Sequence, residues 1–154
     1  MSLKLTSSEL DALLSKRIIA KLATEGGDGF AHVVSVWFLY SRGELLIPTN
    51  KRTTKVRNIR RNSRVSVLID AAQDSIKTKG VLIKGRATIS ELDAAEVNRR
   101  IHQKYVPRET LEDPRVSEVL AMDDITIHVK PEKTVSWDLT KLPISELRGL
   151  DLEF

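Results

Sequence analysis

The stretch Thr49-Asn-Lys-Arg-Thr-Thr-Lys-Val-Arg-Asn-Ile-Arg-Arg-Asn62 decides how the chain is organised. It follows the short apolar run Glu44–Pro48, which begins after Ser41-Arg-Gly43 and is typical of a strand entering from a tight turn. Within the stretch, Val56 and Ile59 lie three residues apart among basic residues, the spacing of a short helix with one apolar stripe. The sequence therefore predicts a strand, a turn and a basic helix.

The predicted helix begins at Thr53 and Thr54. A threonine hydroxyl at this position accepts a hydrogen bond from a first-turn amide that has no partner within the helix. The remaining amides and the positive end of the helix dipole favour a multiply charged anion, and Lys55 adds a mobile charge. These features fit a phosphate better than a carboxylate, while a solvated basic helix is the alternative that these residues leave open.

The charge of the chain is modest in total but clustered. At 154 residues and a net charge of +4, the chain fits one domain that is large enough to bury a core. Its basic residues between 51 and 64 have no acid among them: Lys51, Arg52, Lys55, Arg57, Arg60, Arg61 and Arg64. The partner of such a field is either a phosphorylated small molecule or a nucleic-acid backbone.

Several classes of protein and site are not expected from this composition. The absence of cysteine excludes disulfides, a thiol nucleophile and a zinc-thiolate site, and it is compatible with the reducing cytoplasm, which is the predicted location. No apolar run approaches the roughly 18 residues of a membrane span. The three histidines, His32, His102 and His128, lie on separate predicted elements without metal-ligand spacing, so we expect no metal site.

The first part of the chain predicts a helix followed by a hairpin. Thr6-Ser-Ser-Glu9 matches a capping box that opens a helix of about ten residues. Arg17–Thr24 is strand-like and stops at the turn-forming sequence Glu25–Gly29. The return strand Phe30–Tyr40 is apolar on both faces, so we expect it to be covered on both sides, the second cover being a ligand or another subunit.

The later segments complete a mainly β (α+β) fold. A helix is predicted from Ser90 to Lys104 with Leu92 facing inward, and Gly80 and Gly85 are predicted to mark bulges or a bend. Pro131 is expected to end one strand. The remaining predicted strands are Arg64–Ile69, Lys79–Ile89, Ile125–Val129 and Thr134–Leu139. Six antiparallel strands joined mainly by turns indicate a small barrel with flanking helices.

Side chains that could carry out chemistry unaided are not evident in the sequence. Ser35 lies within an apolar strand, where it either meets polar ligand atoms or marks tight packing, and Trp137 is either a core aromatic or a wall for a planar ligand. The carboxylates Asp70, Asp74, Asp123 and Asp124 are interpreted as solvated turn acids. The catalytic residues are therefore unknown, and the pattern suits an enzyme whose reactive atoms belong to a bound cofactor.

Four motifs in this order resemble a known family. They are the strand His32–Tyr40, the Thr49–Asn62 stretch followed by Arg64-Val-Ser-Val-Leu-Ile69, the later Gly85-Arg-Ala87, and Val135-Ser-Trp-Asp138. Together they resemble the pyridoxamine 5′-phosphate oxidase-like flavin-binding split-barrel superfamily, and in particular its small FMN- or F420-dependent members. The resemblance covers Ser15 to Lys141.

The resemblance implies a six-stranded antiparallel split β-barrel over residues 4–141, followed by a C-terminal tail or short helix over residues 142–154 that packs on the domain or on a partner. It also implies a homodimer that holds FMN, or alternatively F420, in two equivalent grooves at the subunit interface. The implied activity is hydride transfer between this cofactor and a small organic substrate.

Site residues follow from the same resemblance. The strand of His32, Val33, Val34, Ser35, Val36 and Trp37 would run along the isoalloxazine ring. Thr49 would approach the ribityl chain or the phosphate, and Lys55 would bind the phosphate with help from Thr53, Thr54 and Arg61. Lys79 or Gly80 would lie near the pyrimidine side of the ring, and Trp137 would lie near the ring itself.

Two departures from the family pattern change the expected substrate. Vitamin B6 oxidases carry an Arg-Lys pair at the phosphate, whereas Thr54 precedes Lys55 here, so Arg52, Arg57 or Arg61 must compensate. They also carry an Arg-x-His segment after the final tryptophan, and Asp138–Lys141 contains none. Oxidation of pyridoxamine phosphate itself is therefore not expected. Two alternatives stay open: a flavin- or haem-binding module without turnover and, less favoured, nucleic-acid binding, since the basic helix lacks the interleaved aromatics of single-strand binders.

Overall fold

One antiparallel sheet forms the centre of the fold. The computed structural model describes residues 2–73 and 77–143. Within these ranges the strands are β1 Ala20–Glu25, β2 Ala31–Val36, β3 Leu39–Ser41, β4 Glu44–Thr49, β5 Arg64–Ala72, β6 Thr78–Ser90 and β7 Ile125–Asp138. The helices are α1 Ser7–Ser15, α2 Thr54–Arg61, α3 Ala94–Tyr105, α4 Arg108–Leu111 and α5 Pro114–Leu120, with a short 3-10 turn at Leu139–Lys141.

The order of the strands shows how the sheet curls. The order is β2-β1-β5-β6-β7-β4-β3, and each pair of neighbours is antiparallel. The two outermost strands, β2 and β3, are consecutive in the chain and are separated only by Trp37 and Phe38. The predicted strand Phe30–Tyr40 is thus broken at these two residues. If its halves are counted as one, the sheet has six strands, and the predicted mainly β split-barrel fold is confirmed.

Strand alternation separates a dry inner face from a mixed outer face. On the inner face, Leu22, Val67 and Ile83 occupy one row across β1, β5 and β6 and are at most 2% exposed. Burying each such side chain stabilises the fold by roughly 1.5–3 kcal/mol. The predicted apolar stripe of α2 packs onto this core, because Val56 and Ile59 are both buried in it.

The tight turn predicted at Ser41-Arg-Gly43 is present between β3 and β4. Ser41 pairs with Glu44, so the loop has two residues, Arg42 and Gly43. Both have positive φ, 52° and 79° respectively. This is the geometry of a type I′ turn, whose twist matches that of a hairpin and which favours glycine at its second position.

The prediction that Pro131 ends a strand is wrong. β7 continues through it to Asp138, so the two strands predicted around this proline are one. Pro131 pairs with Gly85 directly after a register shift between Lys84 and Gly85, where the ladder is already irregular and a missing amide costs little. The predicted bulge at Gly85 is therefore present, and a side chain there would collide with the backbone of Lys130.

The inward placement of Leu92 is also wrong. Leu92 is fully exposed because α3 begins only at Ala94, while Val97 and Ile101 on the helix are buried. The carboxylate of Asp93 does not cap the helix. It lies 2.7 Å from Nε2 of His128 on β7 instead, which ties the start of the helix to the barrel.

Two further predictions concern the C-terminal segment and membrane-spanning helices. The predicted C-terminal segment lies, from residue 144 onward, outside the described residues, so the domain division stays a prediction. Among the described residues, no helix has the length and apolar character needed to cross a bilayer.

Candidate functional site

A cavity of about 370 Å³ lies beside the start of α2. Its size is within the range of small-molecule sites, about 300–1,000 Å³. The lining comes from β2, β4, α2 and the loop before β7, and consists of Ile19, Ser35, Val36, Trp37, Pro48, Thr49, Lys55 and Asp123. The fold thus brings Ser35, Val36, Trp37, Thr49 and Lys55, five residues predicted to bind the cofactor, to one cavity, although their role in binding stays a prediction.

The start of α2 is open, which corrects one prediction. Thr53 occupies the N-cap position, but no side chain caps the helix. The hydroxyl of Thr53 donates to the carbonyl of Asn50 at 2.9 Å and so does not accept from a first-turn amide. Because these amides are not satisfied by a cap, the positive end of the helix remains available to an anion.

Lys55 is the cation of α2 that lines this cavity. Its side chain is half-buried, and this loss of hydration lowers its pKa, while the charge of Asp123 acts in the opposite direction. A partly desolvated ammonium group binds an anion more strongly than a fully hydrated one.

Other basic residues of the cluster are engaged elsewhere. Arg57 donates to Oγ1 of Thr54 at 2.9 Å, and Arg61 donates to the carbonyl of Glu25 at 2.6 Å. Arg61 therefore lies against the β1–β2 hairpin and outside the Lys55 cavity. The predicted contribution of Arg61 to the same site is not supported by a shared cavity and stays a prediction.

A second, smaller cavity of about 220 Å³ lies on the hairpin side of α2. It contains Thr54, Asn58 and His32, together with the turn residues Gly26–Asp28. Nδ1 of His32 is buried there without a hydrogen-bond partner among the described residues. His32 and Thr54, both predicted as site residues, are thus near each other but separate from the Lys55 cavity.

Trp37 forms a wall of the Lys55 cavity and is held from behind by α3. Its ring stacks on that of Tyr105, with centroids 5.0 Å apart and planes 7° from parallel. The Tyr105 hydroxyl donates to the carbonyl of Ile18 at 2.7 Å, and burial raises its pKa. No local sequence pattern predicts this contact, because Tyr105 is distant in the chain and lies at the end of a helix.

Lys104 supports the same strand break. Its ammonium donates to the carbonyls of Leu14 and Phe38, at 3.2 and 3.1 Å, and lies 4.0 Å from the centre of the Phe38 ring. Burial lowers its pKa to about 8. The break between β2 and β3 is therefore fixed by side chains of α3.

Two further predicted residues, Trp137 and Lys79, lie farther along the sheet, on β7 and β6. Trp137 lies over Gly80 so closely that a Cβ there would be 2.5 Å from the indole. Lys79, paired with Asp138, projects to the opposite side of β6 from this row. Neither Lys79 nor Trp137 lines the Lys55 cavity.

The outer face of the sheet, on which Trp137 lies, is mixed but carries several exposed apolar side chains. Ile19, Val33 and Val135 are 46%, 57% and 41% exposed. Leu68 and Leu82 are neighbours in the row that ends at Val135. Among the described residues, nothing covers the outer side of β2 at Val33, which is exposed, so the predicted second cover by a ligand or another subunit stays a prediction.

Metal chemistry finds no support in the described part of the chain. Within residues 2–73 and 77–143, no group of three or more histidine, aspartate or glutamate side chains is arranged to hold a metal ion.

Comparison with solved structures supports the split-barrel fold. A conserved hypothetical protein from Mycobacterium tuberculosis, Rv2991, is 24% identical, with a TM-score of 0.76 over 93% of this chain and 92% of that one. An F420 reductase is 21% identical, with a TM-score of 0.67 over 81% and 94%. HutZ, the heme storage protein from Vibrio cholerae, is 17% identical, with a TM-score of 0.65 over 89% and 96%. At these identities the likeness shows the fold alone.

The sequence itself gives the family. No curated protein matches it. The family described as pyridoxamine 5′-phosphate oxidase matches residues 6–133, a range that contains the curled sheet up to the middle of β7 and every residue of the Lys55 cavity. The chain therefore belongs to the pyridoxamine 5′-phosphate oxidase family.

Proposed function

We propose that the protein is an oxidoreductase that binds FMN, or alternatively the deazaflavin F420, in the Lys55 cavity and transfers hydride between it and a small organic substrate. The observation that carries this proposal is the convergence of β2, the end of β4 and the open start of α2 on one cavity. Membership of a family named for an oxidase supports the reaction type.

The residues present fit the phosphate of such a cofactor. The first-turn amides of α2 have no side-chain cap, and Lys55 lies in the cavity at the same helix end. Each charge-assisted hydrogen bond to a phosphate oxygen contributes roughly 1.5–3 kcal/mol. Thr49, which is buried at the end of β4, lines the same cavity as Lys55 and Trp37 and can orient the chain that joins phosphate and ring.

The edge of β2 fits the polar side of a planar ring. β2 is an outermost strand, hydrogen-bonded to β1 alone, so the backbone groups on its other edge are available to a ligand. Ser35 and Trp37 add a hydroxyl and an aromatic surface next to this edge. The bound cofactor would supply the hydride chemistry, and the protein would supply binding, orientation and exclusion of water.

A homodimer would give a role to predicted site residues that do not line the Lys55 cavity. A second copy that covers the outer face together with the exposed Ile19 would close the cavity as well, because Ile19 lines it. Trp137 lies on the same outer face but at a distance of several strands from Ser35. In our proposal, Trp137 acts on the cofactor held by the other protomer, while the role of Lys79, on the opposite side of β6, stays a prediction.

The absorption spectrum of the purified protein tests the proposal. A yellow protein with flavin bands, releasing FMN on heating, supports FMN, and a colourless protein that binds added F420 supports the deazaflavin. Reduction of the bound cofactor by a nicotinamide or F420 donor supports turnover. A protein that binds neither cofactor contradicts the proposal, and binding of haem in their place would support the storage-type alternative suggested by the structural likeness to HutZ.

A further inference from the structure

Asp123 is the unexpected member of the Lys55 cavity. It was interpreted from the sequence as a solvated turn acid, but its side chain is half-buried and lines the cavity with Lys55. A carboxylate in a cavity that receives a phosphate is unfavourable when it is ionised, because like charges repel strongly where water is partly excluded. The presence of this carboxylate in the proposed anion site therefore needs a physical explanation.

The position of Asp123 is fixed by contacts on both sides. Nδ2 of Asn50 donates to the carbonyl of Met122 at 2.7 Å, and the amide of Lys51 donates to Oδ1 of Asp124 at 2.8 Å. On the other side, Nδ2 of Asn98 donates to the carbonyl of Leu120 at 2.7 Å. The loop before β7 is thus joined both to the turn that opens α2 and to α3.

Lys55 and Asp123 influence each other without a direct contact. Both residues are described, and the structure shows no ion pair between them. Burial raises the pKa of Asp123, as does the charge of Asp124, while Lys55 opposes this effect. The other groups that surround the loop are Lys51, which pairs with Asp124 at 3.4 Å, and the neutral amide of Asn98.

We propose that Asp123 is a specificity-determining residue that couples the binding of an anion at Lys55 to the uptake of one proton. The inference rests on the proposed anion site of the preceding section. A proton from solvent binds a carboxylate oxygen of Asp123 when the anion enters, which removes the repulsion and gives the anion a further hydrogen-bond donor. When Asp123 is ionised, it competes with the anion for the charge of Lys55.

The sign of the pH dependence follows from this coupling. Anion binding is strongest at low pH, where Asp123 is protonated, and it weakens as pH rises through the pKa of Asp123. For a single coupled proton, the steepest loss is about tenfold per pH unit. A phosphate monoester is a poor probe of this effect, because its own second pKa is about 6 and its charge therefore also changes with pH.

The test measures the binding of inorganic sulfate, whose charge is constant, to the full chain by calorimetry over a series of pH values. The wild-type affinity is expected to fall as pH rises. Asp123→Asn is expected to remove this slope and to bind sulfate more tightly than wild type at high pH, and Asp123→Ser should do the same. Asp124→Asn is the matched control, because it keeps an oxygen that can accept from the amide of Lys51. It should keep the slope but displace it to lower pH, since the charge of Asp124 raises the pKa of Asp123.

Several results would overturn the inference. The first is a slope that persists in both Asp123 variants. The second is weaker sulfate binding by these variants at every pH, which would mean that Asp123 merely positions Lys55. The third is sulfate binding that does not depend on Lys55, as shown by an unchanged affinity in Lys55→Ala, or no sulfate binding at all. FMN and F420 titrations separate this failure from that of the proposed function. If Asp123→Asn abolishes the pH dependence of sulfate binding but the wild type binds neither cofactor, the coupling holds and the flavin site is rejected. If the wild type binds a cofactor but Asp123→Asn keeps the pH dependence of sulfate binding, the flavin site holds and the coupling is rejected.

Discussion

The first two helices begin in the same way and end up with different uses. α1 and α2 both follow a threonine at the N-cap, Thr6 and Thr53. At α1 the hydroxyl of Thr6 accepts from the amide of Glu9 at 3.3 Å, and the Glu9 carboxylate accepts from the amide of Thr6 at 2.7 Å. At α2 the hydroxyl turns to a carbonyl of the preceding turn, and the helix end stays open.

The third residue of each helix accounts for this difference better than the cap residue does. The backbone of Thr6 has φ −68° and ψ 166°, and that of Thr53 has φ −73° and ψ 155°, so their conformations are nearly the same. The third helical residue is Glu9 in α1 and Val56 in α2, and a valine cannot complete a capping box as a glutamate does. The first turn of α2 also contains no acid and carries a cation, which the helix dipole disfavours. The start of α2 is therefore less stable than a capped helix end would be, as is typical of binding sites.

The largest expected effect comes from removing the cation at the open end. Lys55→Ala should weaken FMN binding by about 1–3 kcal/mol, because a charge-assisted bond to the phosphate is lost. The free energy of unfolding should stay unchanged or rise by about 0.3–1 kcal/mol, since a cation near the positive end of the dipole is removed. Quenching of flavin fluorescence gives the affinity, and urea unfolding gives the stability.

Arg60→Ala is the matched control for this change. Arg60 is an exposed cation of the same helix that lies outside the Lys55 cavity. Equal losses of FMN affinity in both variants would show that the general field of the basic helix binds the cofactor, and the open helix end would then have no special role.

A smaller effect is expected from sealing the open end. Thr53→Asp places a carboxylate at the N-cap, where it can accept from the first-turn amides. We expect FMN affinity to fall by about 1–2 kcal/mol, because the carboxylate occupies the donors and adds negative charge, while thermal stability is kept or raised. Thr53→Asn, a cap of similar shape without charge, separates the two contributions. Unchanged affinity in both variants would place the phosphate elsewhere.

Breaking the sealed end should affect stability alone. Thr6→Ala is expected to lower the free energy of unfolding by about 1 kcal/mol, because the amide of Glu9 loses its acceptor. FMN affinity should not change, since Thr6 is not part of the Lys55 cavity. Thr53→Ala is the counterpart and should cost less, because its hydroxyl caps no amide. Equal losses in urea unfolding would mean that the two ends are not different in energy.

These comparisons indicate which features a sequence can predict. The capping box of Thr6 and Glu9 and the turn at Arg42 and Gly43 depend on a few adjacent residues, and both were predicted and are present. The convergence of β2, β4 and α2 was predicted through the family motifs, which encode the sheet order indirectly. The fold class was predicted in the same way.

Features that depend on distant contacts were missed. Asp123 lines the cavity because its loop is tied to Asn50 and Lys51, and Tyr105 supports Trp37 because α3 crosses behind the strand break. Neither contact leaves a local pattern. Pro131 misled for the same reason, because its tolerance depends on a bulge in the neighbouring strand.

The smallest expected effect concerns the pH dependence of the sealed end. Lys141, whose ammonium lies 2.8 Å from Glu9, lowers the pKa of that carboxylate to about 2, and the amide of Thr6 contributes in the same direction. Because the pKa is lowered by folding, the stabilisation is fully present above about pH 4.5 and is lost as pH falls towards about 2. Glu9→Gln keeps a side chain that can complete the capping box but removes the charge, so its thermal midpoint should approach that of wild type in this acid range.

Glu96→Gln, in the exposed pair with Arg99, is the control and should change little at any pH. If Glu9→Gln matched wild type at neutral pH as well, the seal would depend on the hydrogen bonds of the box and the charge on Glu9 would be dispensable.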